Sequence, residues 1–240
     1  MSGAALVFRA VTPSAPRPSL QTVVTALAER YPAPEPLTDP FQLIIWENIG
    51  YLIDDHRRAV LFGEVERRVG LTAAAIEAID GTTLLDIAER GGMRPEVRVQ
   101  RWRDIARITL DRAGGDLDGT LRSLPLARAR SLLKAYPVIG DPGADKILLF
   151  TGVAVRPSLE SNGVRALARL GYCAEGRDYT ASYRAAIELL ARDGLATRDW
   201  LMTAFQVLRD HGKALCKRGA PLCLSCPLDA DCAHVAVKAL

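Results

Sequence analysis

The segment CKRGAPLCLSCPLDADC, residues 216–232, contains four of the five cysteines of the chain. Their spacing is C-x6-C-x2-C-x5-C, which brings four thiolate ligands within reach of one metal centre. A zinc ribbon usually takes two separate C-x2-C pairs from different hairpins, and only one such pair is present here. A 4Fe–4S cluster is larger and suits a single loop that winds around it. The segment therefore predicts a metal site, with a 4Fe–4S cluster favoured and zinc as the alternative.

The composition is that of a globular protein with a mild positive charge. The chain has 240 residues, of which 49% are hydrophobic, and a net charge of +3. This length permits one large domain or two small ones, and this charge permits a nucleic-acid partner without requiring one. No run approaches the roughly 18 apolar residues that span a membrane, and the N-terminus lacks the pattern of a secretion signal. We expect a cytoplasmic protein with no membrane partner, where clustered cysteines bind metal rather than pair as disulfides.

Apolar residues recur at intervals of three and four along most of the chain after residue 20. This pattern predicts an all-α fold class with roughly ten short helices. Residues 1–18, rich in Pro, Ser and Ala, are expected to form a flexible leader, and prolines in 31–40 exclude a helix and predict a stiff linker. The segment 90–107 predicts either a solvated helix face or a surface that faces phosphates, because it carries a run of arginines: Arg94, Arg98, Arg101 and Arg103.

The residues that lead into the cysteine segment read His-Gly-Lys-Ala-Leu-Cys over 211–216. This lead-in, together with the three gaps between the cysteines, resembles the C-terminal loop of the endonuclease III-like helix-hairpin-helix (HhH-GPD) DNA glycosylases. The resemblance implies a 4Fe–4S cluster that tethers a loop too small to have its own core. The implied ligands are Cys216, Cys223, Cys226 and Cys232, and the basic residues expected to meet DNA phosphates are Lys213, Lys217 and Arg218. Cys173 lies outside the pattern and is expected to be a packing residue.

The segment YPVIGDPGADKILLF (136–150) occupies the place of the hairpin in such proteins. It resembles their pattern Leu-Pro-Gly-x-Gly-x-x-Thr-Ala at Pro137, Gly140 and Ala144, and departs from it at Val138 and at the turn 141–143. A tight turn at a helix N-terminus aims backbone N–H groups at a phosphate. The resemblance therefore implies DNA-backbone contacts at Val138, Gly140 and Gly143.

The segment LESNGVRALARLGY (159–172) resembles the stretch of the same family that carries a catalytic aspartate at the start of a helix. Glu160 falls on the aspartate position, Arg165 falls on the arginine that follows it, and Asn162 is a candidate pocket residue. A carboxylate at this place stabilises a sugar with oxocarbenium character or activates water. Glutamate instead of aspartate adds one methylene, and a misplacement of about 1 Å costs on the order of 10²-fold in rate. The alternative role of Glu160 is an acid favoured by the helix dipole.

The hairpin lysine that forms a Schiff base in strand-cutting members of the family is replaced in this chain. Counted back from Glu160, 160 − 18 = 142, its position is Pro142, which offers no amine. Lys146 lies one helical turn later and either reaches inward or remains exposed and faces a phosphate. We expect no efficient lyase step.

A glutamate in the apolar segment LIIWENIGYLI (43–53) is unusual unless it is functional or paired. Aligned from the preceding Pro-Phe, Glu47 falls where mismatch-specific adenine glycosylases of the superfamily carry a general acid. A glutamate whose pKa is raised by burial suits that role. Tyr51, one turn later, could wall the same pocket or stack on an extruded base. The alternative is a structural glutamate with a nearby partner.

The resemblance implies a two-lobed helix-hairpin-helix glycosylase fold that binds duplex DNA with a damaged or mismatched base in its cleft and acts as a monomer. Residues 40–135 are expected to form a helical bundle, and 136–240 the hairpin and cluster lobe, on which 19–39 pack. The first hypothesis is a monofunctional DNA glycosylase that uses Glu160 with Glu47 as helper. The second is a non-catalytic DNA-binding protein that recognises lesions or distorted duplexes. The third is a bifunctional glycosylase/lyase that has recruited Lys146.

Overall fold

The structure is a computed structural model that describes residues 17–32 and 34–238, with side chains described up to residue 235. Within these residues the regular elements are thirteen α-helices and one 3₁₀ turn, Cys223–Ser225, with no strand. The predicted all-α fold class is confirmed. The α-helices are α1 Leu20–Arg30, α2 Pro40–Asn48, α3 Asp55–Arg68, α4 Ala73–Ala78, α5 Gly81–Glu89, α6 Pro95–Ala113, α7 Leu117–Ser123, α8 Leu126–Leu133, α9 Asp141–Phe150, α10 Ser161–Leu170, α11 Tyr179–Asp193, α12 Arg198–Ala214 and α13 Ala233–Lys238.

Short polar side chains define where most of these helices begin. The side chain of the residue before the first turn accepts a hydrogen bond from a backbone N–H of that turn, as Asp39 does for α2 and Thr197 for α12. Gly114 and Gly171 follow α6 and α10 with a left-handed backbone, a conformation that carries no steric penalty in glycine. Local sequence therefore accounts for many of the helix ends.

The first hydrophobic core lies among α2 to α9 and one face of α12. Trp102 of α6 is 1% exposed in this core, and its indole N–H donates to the carbonyl of Asn48 at 3.1 Å. The hairpin helix α9, which the sequence analysis assigns to the second lobe, packs into the first core through Ala144, Ile147 and Leu148. The hairpin is therefore held by the helical bundle.

The second hydrophobic core joins α1, α10, α11 and another face of α12. Leu27 of α1 is fully buried in it, and Cys226 and Cys232 pack against it. Helix α12 contributes to both cores, with Phe205 in the first and Leu208 in the second. The two lobes therefore share one helix along their boundary.

A buried carboxylate connects α8, α9 and α11. Asp145 is 1% exposed, and its oxygens accept hydrogen bonds from Arg130 at 2.8 Å and from the Tyr183 hydroxyl at 3.1 Å and form an ion pair with Arg156 at 3.0 Å. Burial and the charge of Asp145 raise the pKa of Tyr183 far above its ordinary value, so the hydroxyl remains a donor. A buried carboxylate is tolerated only when it is paired and hydrogen-bonded, and these three partners meet that requirement.

Two of the arginines in the segment 90–107 have structural partners. Arg98 is 4% exposed and donates to the carbonyls of Ala88 at 2.6 Å and Met93 at 2.8 Å. Arg103 donates to carbonyls at the C-terminal end of α4, including that of Glu77 at 2.7 Å. The expectation of a solvated or phosphate-facing surface is therefore wrong for these two, because backbone carbonyls of other segments accept from their guanidinium groups.

The predicted leader, residues 1–18, lies outside the described residues except for Arg17 and Pro18. The carbonyl of Pro18 accepts from the Tyr172 hydroxyl at 2.6 Å, and Arg17 lies over the ring of the same tyrosine. The described part of the 31–40 linker forms no helix before Pro40, as its prolines predict. Among the described helices, none has the length and apolarity needed to cross a membrane.

Candidate functional site

The predicted hairpin is a tight turn at residues 136–140 that leads into α9. Val138 has a left-handed backbone with φ of 67° and is 60% exposed, a conformation that strains a non-glycine residue by about 1–2 kcal/mol. Gly140 precedes α9 without a side-chain cap, and Gly143 lies in the first turn. The N–H groups of this turn therefore have no side-chain acceptor and could meet an anion, while Pro142 contributes no N–H.

Asn48 attaches this hairpin to the end of α2. Its side-chain amide donates to the carbonyls of Pro137 at 3.1 Å and Ile44 at 3.0 Å. The residue is 4% exposed, and its Oδ1 has no hydrogen-bond partner among the described residues. The sequence analysis missed Asn48 because its hairpin partner is 89 positions away. Asn48 fixes the hairpin relative to the neighbouring Glu47.

The loops that follow α2 and α5 present exposed apolar side chains side by side. A hydrogen bond of 2.9 Å from the N–H of Tyr51 to the carbonyl of Gly91 joins the two loops. Leu52 is 80% exposed, Met93 61% and Tyr51 55%, and Leu52 and Arg94 have left-handed backbones with φ of 55° and 58°. Strained backbone of this kind concentrates at functional sites. Leu52 and Met93 were missed because no local sequence signal marks a left-handed leucine.

Glu47 and Lys146 form an ion pair between α2 and α9, with 2.6 Å between Oε1 and Nζ. The Lys146 ammonium lies 5.6 Å from the ring centroid of Phe150 and 5.5 Å from that of Phe205. Only 13% of the lysine side chain is exposed, against 32% of the glutamate. Of the two positions expected for Lys146, the exposed one is wrong and the inward one is correct, because the aromatic rings and the carboxylate draw the side chain into the fold.

The pKa of Glu47 reflects two opposed effects. Burial raises the pKa, but the charge and hydrogen bond of Lys146, together with the charge of Arg58, outweigh burial and lower it. Glu47 is therefore a carboxylate at neutral pH. The expectation of a pKa raised by burial, and with it a protonated general acid, is wrong in this structure because the partner that reverses the shift lies 99 positions away.

Glu160 lies immediately before α10, where its carboxylate caps the helix. Oε1 accepts from the backbone N–H of Asn162 at 3.1 Å, and Oε2 accepts from the side-chain amide of Asn162 at 3.1 Å. Burial, with a contribution from the charge of Glu160, raises the pKa of Tyr179 to about 12. The charge of Arg209 acts on Glu47, and the charge of Glu160 acts on Arg209. Glu160 and the Glu47–Lys146 pair are therefore both within electrostatic reach of one guanidinium on α12.

A continuous chain of hydrogen bonds connects Glu160 to the first cysteine of the cysteine segment. Asn162 accepts from Arg165 at 2.6 Å, and Arg165 donates to the carbonyls of Cys216 at 2.9 Å and Gly212 at 2.8 Å. A side chain at Gly212 would come within 2.5 Å of the carbonyl of Asn162, so the lead-in helix and α10 touch through backbone. The position of Glu160 is therefore tied to that of the cysteine segment.

An ion-pair clasp, defined here as Asp55 with Arg209 and Lys213, joins the start of α3 to α12. Both cations lie 2.6 Å from the Asp55 carboxylate. Lys213, one of the residues predicted to bind DNA, is therefore paired with an acid in the absence of DNA. Lys217 and Arg218, predicted for the same role, are exposed.

We expect Asp55→Asn to strengthen DNA binding and to weaken the fold slightly. Hydrogen bonds and charges from Arg209 and Lys213 outweigh burial and lower the pKa of Asp55 from 3.8 to about 2. The pKa of Asp55 is lower in the folded state than in the unfolded state. The clasp therefore stabilises the fold fully above pH 3.8, and this stabilisation disappears as the pH falls through about 2. Solvent screens this half-exposed clasp, so its loss costs about 1 kcal/mol of unfolding free energy.

Duplex affinity measured over a range of salt concentrations tests this expectation. In Asp55→Asn, Arg209 and Lys213 lose their acidic partner and become free to contact phosphate. Each new phosphate contact should make the plot of log affinity against log salt concentration steeper by about one unit of slope. Asp54→Asn is the matched control, because Asp54 caps α3 and has no contact with α12 among its described hydrogen bonds. Equal affinity and slope in wild type and Asp55→Asn would contradict a DNA-facing clasp.

The four cysteines of the segment 216–232 line one small pocket that opens to solvent. Among the described residues, no group of three or more His, Cys, Asp or Glu side chains is arranged to hold a metal ion as it stands. Burial and the charges of Cys232 and Cys216 raise the pKa of Cys226, which places these sulfurs near one another. The donor set therefore fits a thiolate-bound group, and the loop would close around it on binding.

Two residues of neighbouring helices hold this loop in place. Arg169 of α10 donates to the carbonyls of Lys217 at 2.7 Å and Arg218 at 2.8 Å. His211 of α12 is 1% exposed and lies 3.8 Å from the Cys226 sulfur through Nε2. Burial lowers the pKa of His211 to about 4, so it is neutral at physiological pH. The fifth cysteine, Cys173, is partly buried against the second core, where burial raises its pKa.

No protein-family model and no curated protein matches the chain by sequence. Solved structures match it over most of its length. Endonuclease III trapped as a covalent intermediate with DNA has a TM-score of 0.71 at 17% identity, over 92% of this chain and 97% of that one. A thermostable thymine-DNA glycosylase has a TM-score of 0.69 at 13% identity, over 90% and 96%. H. pylori 3-methyladenine DNA glycosylase bound to 1,N6-ethenoadenine has 0.59 at 16% identity, over 80% and 93%.

These likenesses concern the fold, and they extend over both lobes of the chain. The sequence resemblance rests on the cysteine loop with its lead-in, on the hairpin before α9 and on the segment around Glu160, all of which lie within the matched fold. The chain therefore has the two-lobed fold seen in the endonuclease III-like helix-hairpin-helix DNA glycosylases.

Proposed function

We propose that this protein is a monofunctional DNA glycosylase of base-excision repair, which hydrolyses the bond between deoxyribose and a damaged or mispaired base. The observation that carries the proposal is the Glu160 carboxylate, held at both oxygens by Asn162 at the start of α10. The charge of Glu160 acts on Arg209, and the charge of Arg209 acts on Glu47 of the Glu47–Lys146 pair. The fold that positions these groups is shared with solved DNA glycosylases.

In this proposal Glu160 acts at the sugar. When the base departs, the deoxyribose acquires oxocarbenium character, and a fixed carboxylate stabilises that charge and accepts a proton from the attacking water. Anchorage by Asn162 offsets the freedom of the extra methylene, because it fixes the carboxylate before the substrate arrives. Asn162 is thus a positioning residue.

The absence of a suitable amine supports hydrolysis without strand cleavage. Pro142 stands where the Schiff-base lysine would be expected. The Lys146 ammonium is bound to Glu47 and lies close to two aromatic rings, so attack on the sugar would require it to leave that pair.

The proposed DNA-binding surface consists of the hairpin, the two apolar loops and the cysteine loop. The hairpin would meet the backbone with N–H groups near Val138, Gly140 and Gly143. Leu52 and Met93 would enter the base stack as apolar wedges, as minor-groove proteins do, and Tyr51 would stack on or wall the extruded base. The basic residues at the end of α12 and on the cysteine loop would contact phosphates: Lys213, Lys217 and Arg218.

We propose that Cys216, Cys223, Cys226 and Cys232 bind a 4Fe–4S cluster. Four thiolates around one cavity are the donor set of such a cluster, and the hydrogen bonds from Arg169 and Arg165 hold the loop backbone in place around that cavity. With all four positions of the cluster taken by protein sulfur, its contribution is to fold and tether the loop.

The function is tested by incubating purified protein with duplexes that carry uracil, hypoxanthine, methylated purines, oxidised pyrimidines or simple mismatches. We expect strand breaks only after hot alkali, which cleaves abasic sites, and no covalent complex with borohydride. Glu160→Gln should lower the excision rate by about 10²–10⁴-fold, the range of acid–base catalysis, with duplex affinity retained.

Asp116→Asn is the matched control for Glu160→Gln, because it also replaces a capping carboxylate by an amide, at the start of α7. Breaks without alkali, together with borohydride trapping that is lost in a Lys146 variant, would replace the proposal by the bifunctional enzyme. Intact strands from protein that still binds duplexes would replace it by the non-catalytic DNA-binding protein.

A further inference from the structure

We infer that Lys146 is a specificity-determining residue that stabilises a departing lactam base, one in which a ring N–H adjoins a carbonyl, as in uracil, thymine and hypoxanthine. The inference rests on the proposed glycosylase function and adds to it the class of base. It assigns Lys146 an electrostatic role at the base, separate from attack on the sugar.

The arrangement of the pair determines how a base could approach it. The ammonium of Lys146 is enclosed by Glu47, Phe150 and Phe205, whereas the Glu47 carboxylate is about one-third exposed. The pair is therefore open on the glutamate side. Lys146 bonds one glutamate oxygen, Oε1, so Oε2 remains available as an acceptor beside a donor ammonium.

A lactam edge is complementary to that arrangement. Its ring N–H would donate to Glu47, and its carbonyl oxygen would accept from Lys146. When the bond between the sugar and the base nitrogen breaks, its electron pair stays with the base and the charge spreads onto the carbonyl oxygen. An ammonium with few competing partners stabilises that charge strongly because little water surrounds it. Water adds to the sugar, its proton goes to Glu160, and the free base takes a proton from solvent after release.

The same arrangement disfavours adenine. Adenine departs readily only when a ring nitrogen is protonated, and Glu47, paired with Lys146, has no proton to give. The pair therefore disfavours adenine as well as favouring lactams.

Single-turnover excision rates on matched duplexes test the inference. The bases compared are uracil, 5-fluorouracil and hypoxanthine as lactams, and mispaired adenine as the excluded class. We expect wild type to excise lactams only. Lys146→Gln should lower the uracil rate by about 10²–10³-fold, the effect of losing one oxyanion donor. The loss should be smaller for 5-fluorouracil, whose anion needs less stabilisation, and duplex affinity should not change.

Arg192→Gln, which removes one exposed positive charge on α11, is the control for net charge. The double variant Glu47→Gln/Lys146→Gln keeps an uncharged hydrogen-bonded pair. It replaces Lys146→Gln in the experiment if circular dichroism shows that the single variant is unfolded. Excision of adenine by wild type, or an equal loss on uracil and 5-fluorouracil in Lys146→Gln, would overturn the inference alone. Excision of no base at all would refute the proposed function and the inference together.

Discussion

Cys226→Ala is expected to abolish iron binding and to unfold the loop of residues 216–232. The loop has little hydrophobic core of its own, since Leu228 is the one buried apolar residue that it contains. A loop of this kind is held by its metal centre, and structural metal sites contribute on the order of 10 kcal/mol to folding. We expect wild type isolated without oxygen to be brown and to contain about four iron atoms per chain. The variant should be colourless and should lose secondary structure at a lower temperature.

Cys173→Ala is the matched control, because Cys173 is also a partly buried thiol but lies outside the loop. This variant should retain iron and colour, and its stability to thermal unfolding should fall only by the amount expected for a small packing defect. Iron content, visible absorbance and thermal unfolding are measured on all three proteins. One zinc and no iron in wild type, or full iron retention in Cys226→Ala, would contradict the cluster proposal.

Asp145→Ala is expected to lower the free energy of unfolding by about 3–5 kcal/mol, the usual effect of breaking a buried ion pair from one side. The change leaves Arg130 and Arg156 without their shared carboxylate and the Tyr183 hydroxyl without its acceptor. Because these partners lie on α8, on the loop after α9 and on α11, the effect should appear as one shifted transition in urea unfolding of the whole protein.

Asp141→Ala is the comparison for Asp145→Ala. Asp141 pairs with Lys134 and Arg130 in the same region, but 44% of its side chain is exposed. Solvent-exposed pairs contribute about 0–1 kcal/mol, so the shift should be small. Similar losses in the two variants would show that burial of the Asp145 network is not what stabilises the fold.

The parts of the site that the sequence predicted correctly are those encoded by short local patterns. The helical periodicity, the hairpin turn and the single cysteine loop are each written within about 20 residues, where spacing and turn chemistry are informative. Glu160 was placed at a helix start because a capping acid and the helix that follows are adjacent in sequence. Its catalytic role remains a prediction.

The features that the sequence did not predict depend on partners that are distant along the chain. The pKa of Glu47 is decided by Lys146, and the direction of Lys146 is decided by the packing of α9 against α12. The arginines of α6 follow the sequence pattern of a solvated helix face, although the guanidinium groups of Arg98 and Arg103 donate to carbonyls of other helices. Such pairings require the tertiary structure, because periodicity describes one helix at a time.

The position of α12 in both hydrophobic cores has a consequence for synthesis on the ribosome. Phe205 completes the first core and Leu208 the second, and both emerge after more than 200 residues have been made. Helix α1, made early, has its packing partners in α10 to α12 and must wait for them. Neither lobe can therefore complete its core before α12 has been made, and we expect nascent chains to expose apolar helix faces until then.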